Sequence, residues 1–278
     1  MSIKTARRIR LTLSYLVLLS AIAIVVYPIL WVIGSSFNPG NTLSSSTIIP
    51  ENATLTHYKK LFAETDYLIW YWNTLKICFI TMVLSVIFIG LTAYAFSRYK
   101  FIGRKNGLLL FLILQMIPQF VAILAIYILA YQVGLLDTHF ALILVYVGGL
   151  IPMNTYLAKN YYDTIPKELD ESARIDGAGH FRIFWQIILP LSKPILAVIA
   201  LFSFISPFAD FILASILISS DEKMTLAVGL FNMIKNEFGN SFTLFAAGSV
   251  LVAIPIGLLF LSLQRYFISG LTAGGTKG

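Results

Sequence analysis

Charge is what this chain has least of. Only 12% of its 278 residues are Asp, Glu, Lys or Arg, against 58% hydrophobic, and the mean hydropathy is +0.83. That composition excludes an ordinary soluble domain and points to an integral membrane protein. Acidic residues are scarcer than basic ones, 13 against 20, for a net charge of +7. The excess does not indicate nucleic acid, because the basic residues flank apolar runs, an arrangement suited to anionic membrane lipid. The single cysteine, Cys78, lies inside an apolar run, so an intrachain disulfide is excluded and a space-filling role is expected. Three histidines (His57, His139, His180) are too scattered to ligate a metal. No G-x-x-x-x-G-K-[ST] loop occurs, and Gly274-Gly275-Thr276-Lys277-Gly278 has neither its spacing nor its strand–helix setting. No enzyme active site and no cofactor are expected, and the chain cannot hydrolyse ATP by itself.

What the chain has is apolar length. Crossing a bilayer takes roughly 20 apolar residues, and six stretches qualify: approximately 11–35, 70–96, 107–131, 140–157, 194–218 and 242–267. The first follows Lys4, Arg7, Arg8 and Arg10 and runs from Leu11 to about Ile33. It exceeds the ~7–15 apolar residues of a secretory signal, so it is expected as a retained span. The fourth is the shortest and contains Gly148, Gly149 and Pro152. The expected fold is all-α: a polytopic membrane protein with six transmembrane helices in one domain over residues 1–278.

Basic residues set the orientation. Fifteen of the 20 fall on one side: the four just named, Arg98, Lys100, Arg104, Lys105, Lys159, Lys167, Arg174, Arg182, Lys193, Arg265 and Lys277. Lys59, Lys60, Lys223 and Lys235 fall on the other, and Lys76 lies in the second span. By the positive-inside rule both termini and the long loop before Pro194 are cytoplasmic. Outside, Asn38-Pro39-Gly40 and the Ser/Thr run Thr42–Thr47 read as loop. The segment 219–241, polar with an apolar middle, is long enough to reach a partner protein.

The cytoplasmic loop has helix–turn–helix grammar. Pro166 suits a helix N1 position, and Glu168, Asp170 and Glu171 suit the first turns, where the helix dipole favours negative charge. Gly177 is placed to stop that helix in a left-handed cap. Beyond Gly179, the residues Phe181, Phe184, Trp185, Ile188 and Leu189 recur at helical spacing until Pro190. The spacing of Glu171, Ala173, Asp176, Gly177, Ala178, Phe184, Ile187, Leu189, Pro190 and Pro194 resembles the EAA loop of binding-protein-dependent ABC importer permeases, with Ser172 replacing the first alanine. The likeness covers almost the whole chain and narrows to the carbohydrate branch. It includes Tyr27-Pro28-Ile29-Leu30-Trp31, Gln115-Met116-Ile117-Pro118, Gly134-Leu135-Leu136-Asp137-Thr138, residues 225–230 and the ending 264–274. Together these resemble the six-helix maltose/maltodextrin-type subunit.

The resemblance implies a prokaryotic cell-membrane (inner or plasma membrane) permease that moves oligosaccharides, maltodextrin-like ones first, by alternating access. Its implied partners are a second, unlike permease subunit, two copies of a cytoplasmic ABC ATPase and an extracytoplasmic sugar-binding protein. The segment 166–190 is then the coupling loop, with Glu171, Ala173, Asp176, Gly177 and Ala178 as ATPase-coupling residues. Glu171 is expected to pair with a basic group on the ATPase. Its alternative is a solvated helix charge, since Asp170 has an i+4 partner in Arg174. Ala173 and Ala178 are expected outward, close to the ATPase groove, and the stripe Phe181, Phe184, Trp185, Ile188 is expected to pack against the span ends. The tail after Gly270 is implied to reach between the ATPases.

Asp210, just after Pro207 in the fifth span, is either a group on the translocation path or half of a structural pair. Relatives commonly carry Trp-Asn before that acid where this chain has Phe208-Ala209, which removes one polar contact from the path. Gln115, Gln119, Asn154 and Ser206 are further path candidates; the alternative for each is a bond to a neighbouring helix. The rival readings are an importer of the same build for another solute such as glycerol phosphate, a stand-alone channel, and a secondary transporter. An anionic solute would call for cations in the spans, where only Lys76 is available.

Overall fold

The structure is a computed structural model describing residues 3–41, 48–235 and 241–275, with side chains except at 3, 4, 6, 119 and from 267 onward. The Thr42–Thr47 run, the Gln119 side chain and residues 276–278 lie outside the described residues. The described part is all-α, with no strand. Among the described residues four helices are long and apolar enough to cross a bilayer, and five if the pair His180–Leu191 and Lys193–Ala209, bent by 81°, is counted as one span.

The chain divides into two compact units. The first takes residues 1–67 and 230–254. It contains α1 (Ile3–Ser36), α2 (Thr56–Glu64) and the opening turns of α13 (Phe242–Gly275). Before Trp31, α1 is exposed wherever its side chains are described. Its far end is held firmly. Ser36 Oγ lies 2.8 Å from Tyr58 Oη, and His57 Nε2 donates to the Asn38 carbonyl at 2.8 Å. Tyr67 Oη donates to the Gly248 carbonyl at 2.9 Å, and a Cβ at Gly248 would stand 2.5 Å from Leu230 Cδ2.

The second unit, residues 68–229 and 255–278, carries the elements around the long loop. Its frame is α3 (Tyr67–Arg98), α6 (His139–Asp163) and α10 (Lys193–Ala209). Two apolar cores are strung along them. One gathers Ile77, Leu142, Tyr146, Val147, Leu213 and Leu217; the other gathers Ile89, Tyr162, Ile183, Phe184, Ile188 and Ile199. Thr81 and Ser85 of α3 and Thr155 of α6 are fully buried between these sets in the sequence of each helix, and Ser203 of α10 is fully buried one turn past Ile199.

Two of the apolar stretches are not single helices. Residues 107–131 form α4 (Arg104–Leu114) and α5 (Gln119–Gln132), interrupted at Gln115–Pro118, where proline supplies no N–H. Residues 194–218 form α10 and the short α11 (Ile212–Leu217), separated by extended backbone at Asp210. The fourth stretch is longer than its apolar composition indicates: α6 runs through Pro152 to Asp163. Between α3 and α12 (Leu226–Lys235), Thr74 Oγ1 accepts from the Leu226 N–H at 2.7 Å, and Asn73 Nδ2 donates to the Glu222 and Met224 carbonyls.

Candidate functional site

The loop before α10 folds into an elbow of two short arms. The first arm is α7 (Glu168–Ile175), with Glu168, Asp170 and Glu171 in its first turn and Arg174 in its last, both favourable to the helix dipole. Pro166 stands ahead of its first residue rather than within it. Gly177 ends the arm at φ +80°, its N–H bonded to Arg174 O at 3.0 Å, while the Ala178 N–H reaches Ala173 O at 2.9 Å. That pair of bonds is a Schellman cap, and only glycine enters it without strain.

The second arm is a rod from His180 to Leu191 made of α8 (His180–Ile183), a π-helical turn over Phe184–Ile188 and α9 (Leu189–Leu191). It runs through Pro190 instead of stopping there. The wide turn comes directly ahead of Pro190, with the Leu189 N–H bonded back to Phe184 O. A proline at that place rules out a regular α-helical bond and crowds the preceding turn. At Ser192 the chain bends by 81° into α10.

Three expectations about side-chain direction are corrected. The aromatic stripe splits: Phe184 and Ile188 are buried, whereas Phe181 (73% exposed) and Trp185 (58%) stack on each other outside, centroids 6.1 Å apart. Ile183 takes the inward place instead. Ala173 is buried rather than outward, packed in the core with Ile183 and Tyr162, and Ala178 is half-buried against the same core. Asp170 pairs not with Arg174 but with Arg98 at the end of α3: Nε to Oδ2 is 2.8 Å and both side chains are buried. Glu171, Arg174, Ile175 (87% exposed) and Asp176 form the free face of α7.

Of the path candidates, Asp210 stands at the α10–α11 break, between α10 and α6. It accepts from Tyr146 Oη at 2.7 Å and caps α11 by accepting from the Ala214 N–H at 3.0 Å. Gln115 Nε2 donates to the Gly149 carbonyl at 3.2 Å, bridging the α4–α5 break to α6. Asn154 is buried and bonds its own helix at Leu150 O, and Ser206 on α10 is half-buried. Tyr146, Gly149 and Asn154 all belong to α6, so that helix is what the Asp210 and Gln115 contacts share. Among the described residues no three His, Cys, Asp or Glu side chains converge as metal ligands.

Residues 86–272, a span that includes the elbow, match the family model for the inner membrane component of binding-protein-dependent transport systems. The chain belongs to that family. It is 55% identical over 278 residues to the galactooligosaccharides transport system permease protein of Bacillus subtilis, covering 99% of this chain and 98% of the relative. It is 49% identical to the maltodextrin transport system permease protein of the same organism, covering both chains fully. A bacterial ABC transporter involved in the import of the acidic polysaccharide alginate has the same fold, with a TM-score of 0.80 at 24% identity over 96% of this chain and 99% of that one. The chain is therefore a multi-pass inner membrane component.

In this permease, sequence reasoning missed one constellation. Asp137, in the turn between α5 and α6, has φ +57° and gathers the Ser219 and Ser220 N–H groups, each at 2.9 Å, with Lys223 Nζ at 2.8 Å. Lys223 first, then Ser220, holds its carboxyl far below the usual carboxylate range. Thr138 next to it caps α6 by accepting from the Ala141 N–H at 3.2 Å. The available signal was the Asp-Thr pair after Gly134, a turn residue followed by a helix cap.

Proposed function

We propose that this chain is the permease subunit of an ABC importer for neutral oligosaccharides of the maltodextrin and galactooligosaccharide kind, in a prokaryotic cell membrane. The observation that carries the reading is whole-length likeness to two permeases named for those cargoes. The transporter is completed by a second, unlike permease, two ATPase copies and an extracytoplasmic sugar-binding protein; ATP hydrolysis is the partner's, and this subunit is non-catalytic. The elbow of residues 166–190 is the part the ATPase grips. Its free face offers Glu171 and Asp176 as carboxylates and Ile175 as an apolar tip, while Gly177 sets the angle between the arms. Ala173 and Ala178 support that face from behind.

Closure of the ATPase pair over ATP moves the elbow, and the spans rejoin it in an outward-facing arrangement. Work enters only as a difference in how well the closed and open ATPase pairs hold the elbow. Gln115, Gln119, Asn154 and Ser206 are the polar groups offered to hydroxyl-rich cargo, with Asp210 holding the α10–α11 break open. The test is uptake of labelled maltodextrin and galactooligosaccharide by the assembled transporter. Glu171→Lys should stop uptake of both while the protein remains in the membrane, and normal uptake by that variant refutes the assignment of the elbow.

A further inference from the structure

The end of α3 holds both the end of α6 and the elbow that follows it. Ser97 Oγ donates to Asp163 Oδ1 at 2.7 Å, and Lys159 pairs with the same carboxylate at 2.5 Å. Arg98 reaches further: one amino group donates to the Ile165 carbonyl at 3.0 Å while Nε faces Asp170 at 2.8 Å. Tyr94 and Tyr99 pack against Phe184 and His180, at ring separations of 5.0 and 5.2 Å. The second arm is thus attached through a broad apolar surface. The first arm is not. Of its eight residues only Asp170 and Ala173 are buried, three apart on one face. Apart from its chain links to α6 and to the second arm, the free face of α7 is backed by one methyl group and one ion pair.

We infer that Arg98 and Asp170 are positioning residues for coupling, the contact through which movement of α7 is passed to α3. This rests on the elbow being the ATPase dock. A buried ion pair is a poor way to gain stability, since well-packed apolar residues in its place are often neutral or stabilising. What it supplies is direction. An amino group hydrogen-bonded to the Ile165 carbonyl, with Nε of the same rigid guanidinium in ion-pair contact with Asp170, restricts α7 against α3 more than a methyl contact alone does. Asp170 Oδ1 and Arg98 Nε are both buried without a hydrogen-bond partner, so the two charges depend on each other as an ion pair.

The experiment measures ATP hydrolysed per oligosaccharide moved, with the complete transporter in proteoliposomes. Asp170→Asn should still assemble with the ATPase, because the free face is intact, yet its ATP-to-sugar ratio should rise at least tenfold. Arg98→Lys, which keeps the charge and loses the guanidinium, should fall between. The exchange Arg98→Asp with Asp170→Arg should recover part of the coupling. A purely structural pair would lower the amount assembled and leave the ratio unchanged, and that result overturns the inference. Failure of both Asp170→Asn and the exchange to insert would assign the pair to folding and overturn it equally. The underlying reading fails separately: Glu171→Lys would then transport normally, whatever Asp170→Asn does.

Discussion

Gly177 allows a test in which size and backbone strain give opposite orders. A Cβ built there meets nothing within 4 Å, so an added Cβ is not penalised by collision. Its φ of +80° lies in the left-handed region, which costs an ordinary L-residue about 1–2 kcal/mol. Asparagine tolerates that region better than alanine, and a β-branched residue tolerates it least. The predicted order of function is therefore Gly177, then Gly177→Asn, Gly177→Ala and Gly177→Val, although asparagine is larger than alanine. A cost of about 1–2 kcal/mol shifts the balance between capped and frayed elbow by roughly 5–30-fold. With α7 attached by two inward residues, the loss falls on that arm rather than on the whole fold. The assay is the initial rate of labelled oligosaccharide uptake, normalised to protein inserted in the membrane. Gly177→Val should lose transport at unchanged membrane level. A wild-type rate for Gly177→Val, or Gly177→Asn below Gly177→Ala, refutes the reasoning.

Two other predictions concern parts away from the elbow. At Gly229 an added Cβ would lie inside the contact distance of the Trp70 ring, so Gly229→Ala should destabilise the protein by about 1–3 kcal/mol. Its thermal midpoint should fall and be partly restored by Trp70→Leu; an unchanged midpoint for the single variant contradicts the packing. At Asp137 the folded carboxyl titrates below its unfolded value of about 3.9. Its stabilisation is complete above that value and is lost as pH falls below it, towards the folded value. Asp137→Asn, which keeps a residue suited to positive φ, should therefore flatten the acid limb of stability below about pH 4. An acid limb as steep as that of the unaltered protein counts against the Asp137–Lys223 anchor.

The all-α class and the elbow could be read from the sequence because their causes are local. Apolar run length announces spans, and a glycine between an acidic helix start and an aromatic repeat announces a capped turn; both Gly177 and Gly179 stand where that grammar puts them. What was not legible depends on distant partners. Asp170 has a helix neighbour in Arg174 at the right spacing, but burial against α3 brings it Arg98, which no local pattern reveals. Ala173 looked outward because alanine suits either face. Phe181 and Trp185 looked inward because helical periodicity counts apolar residues without telling which of them has something to pack against. The breaks at Gln115–Pro118 and Asp210 were hidden for another reason: hydropathy is continuous across them while the hydrogen-bond ladder is not.

The 81° bend at Ser192 turns the second arm into a crank. Twelve helical residues at 1.5 Å each make a bar about 18 Å long set across the axis of α10. Swinging that bar by about 10° about Ser192 would carry its tip at His180 through about 3 Å, over half the pitch of a helical turn. Ser192 is buried, and its hydroxyl and N–H both hold the Ile188 carbonyl, so the pivot is stiff. A small rotation of the bar about Ser192 would therefore reach α10 as torque, with little slack to take it up on the way.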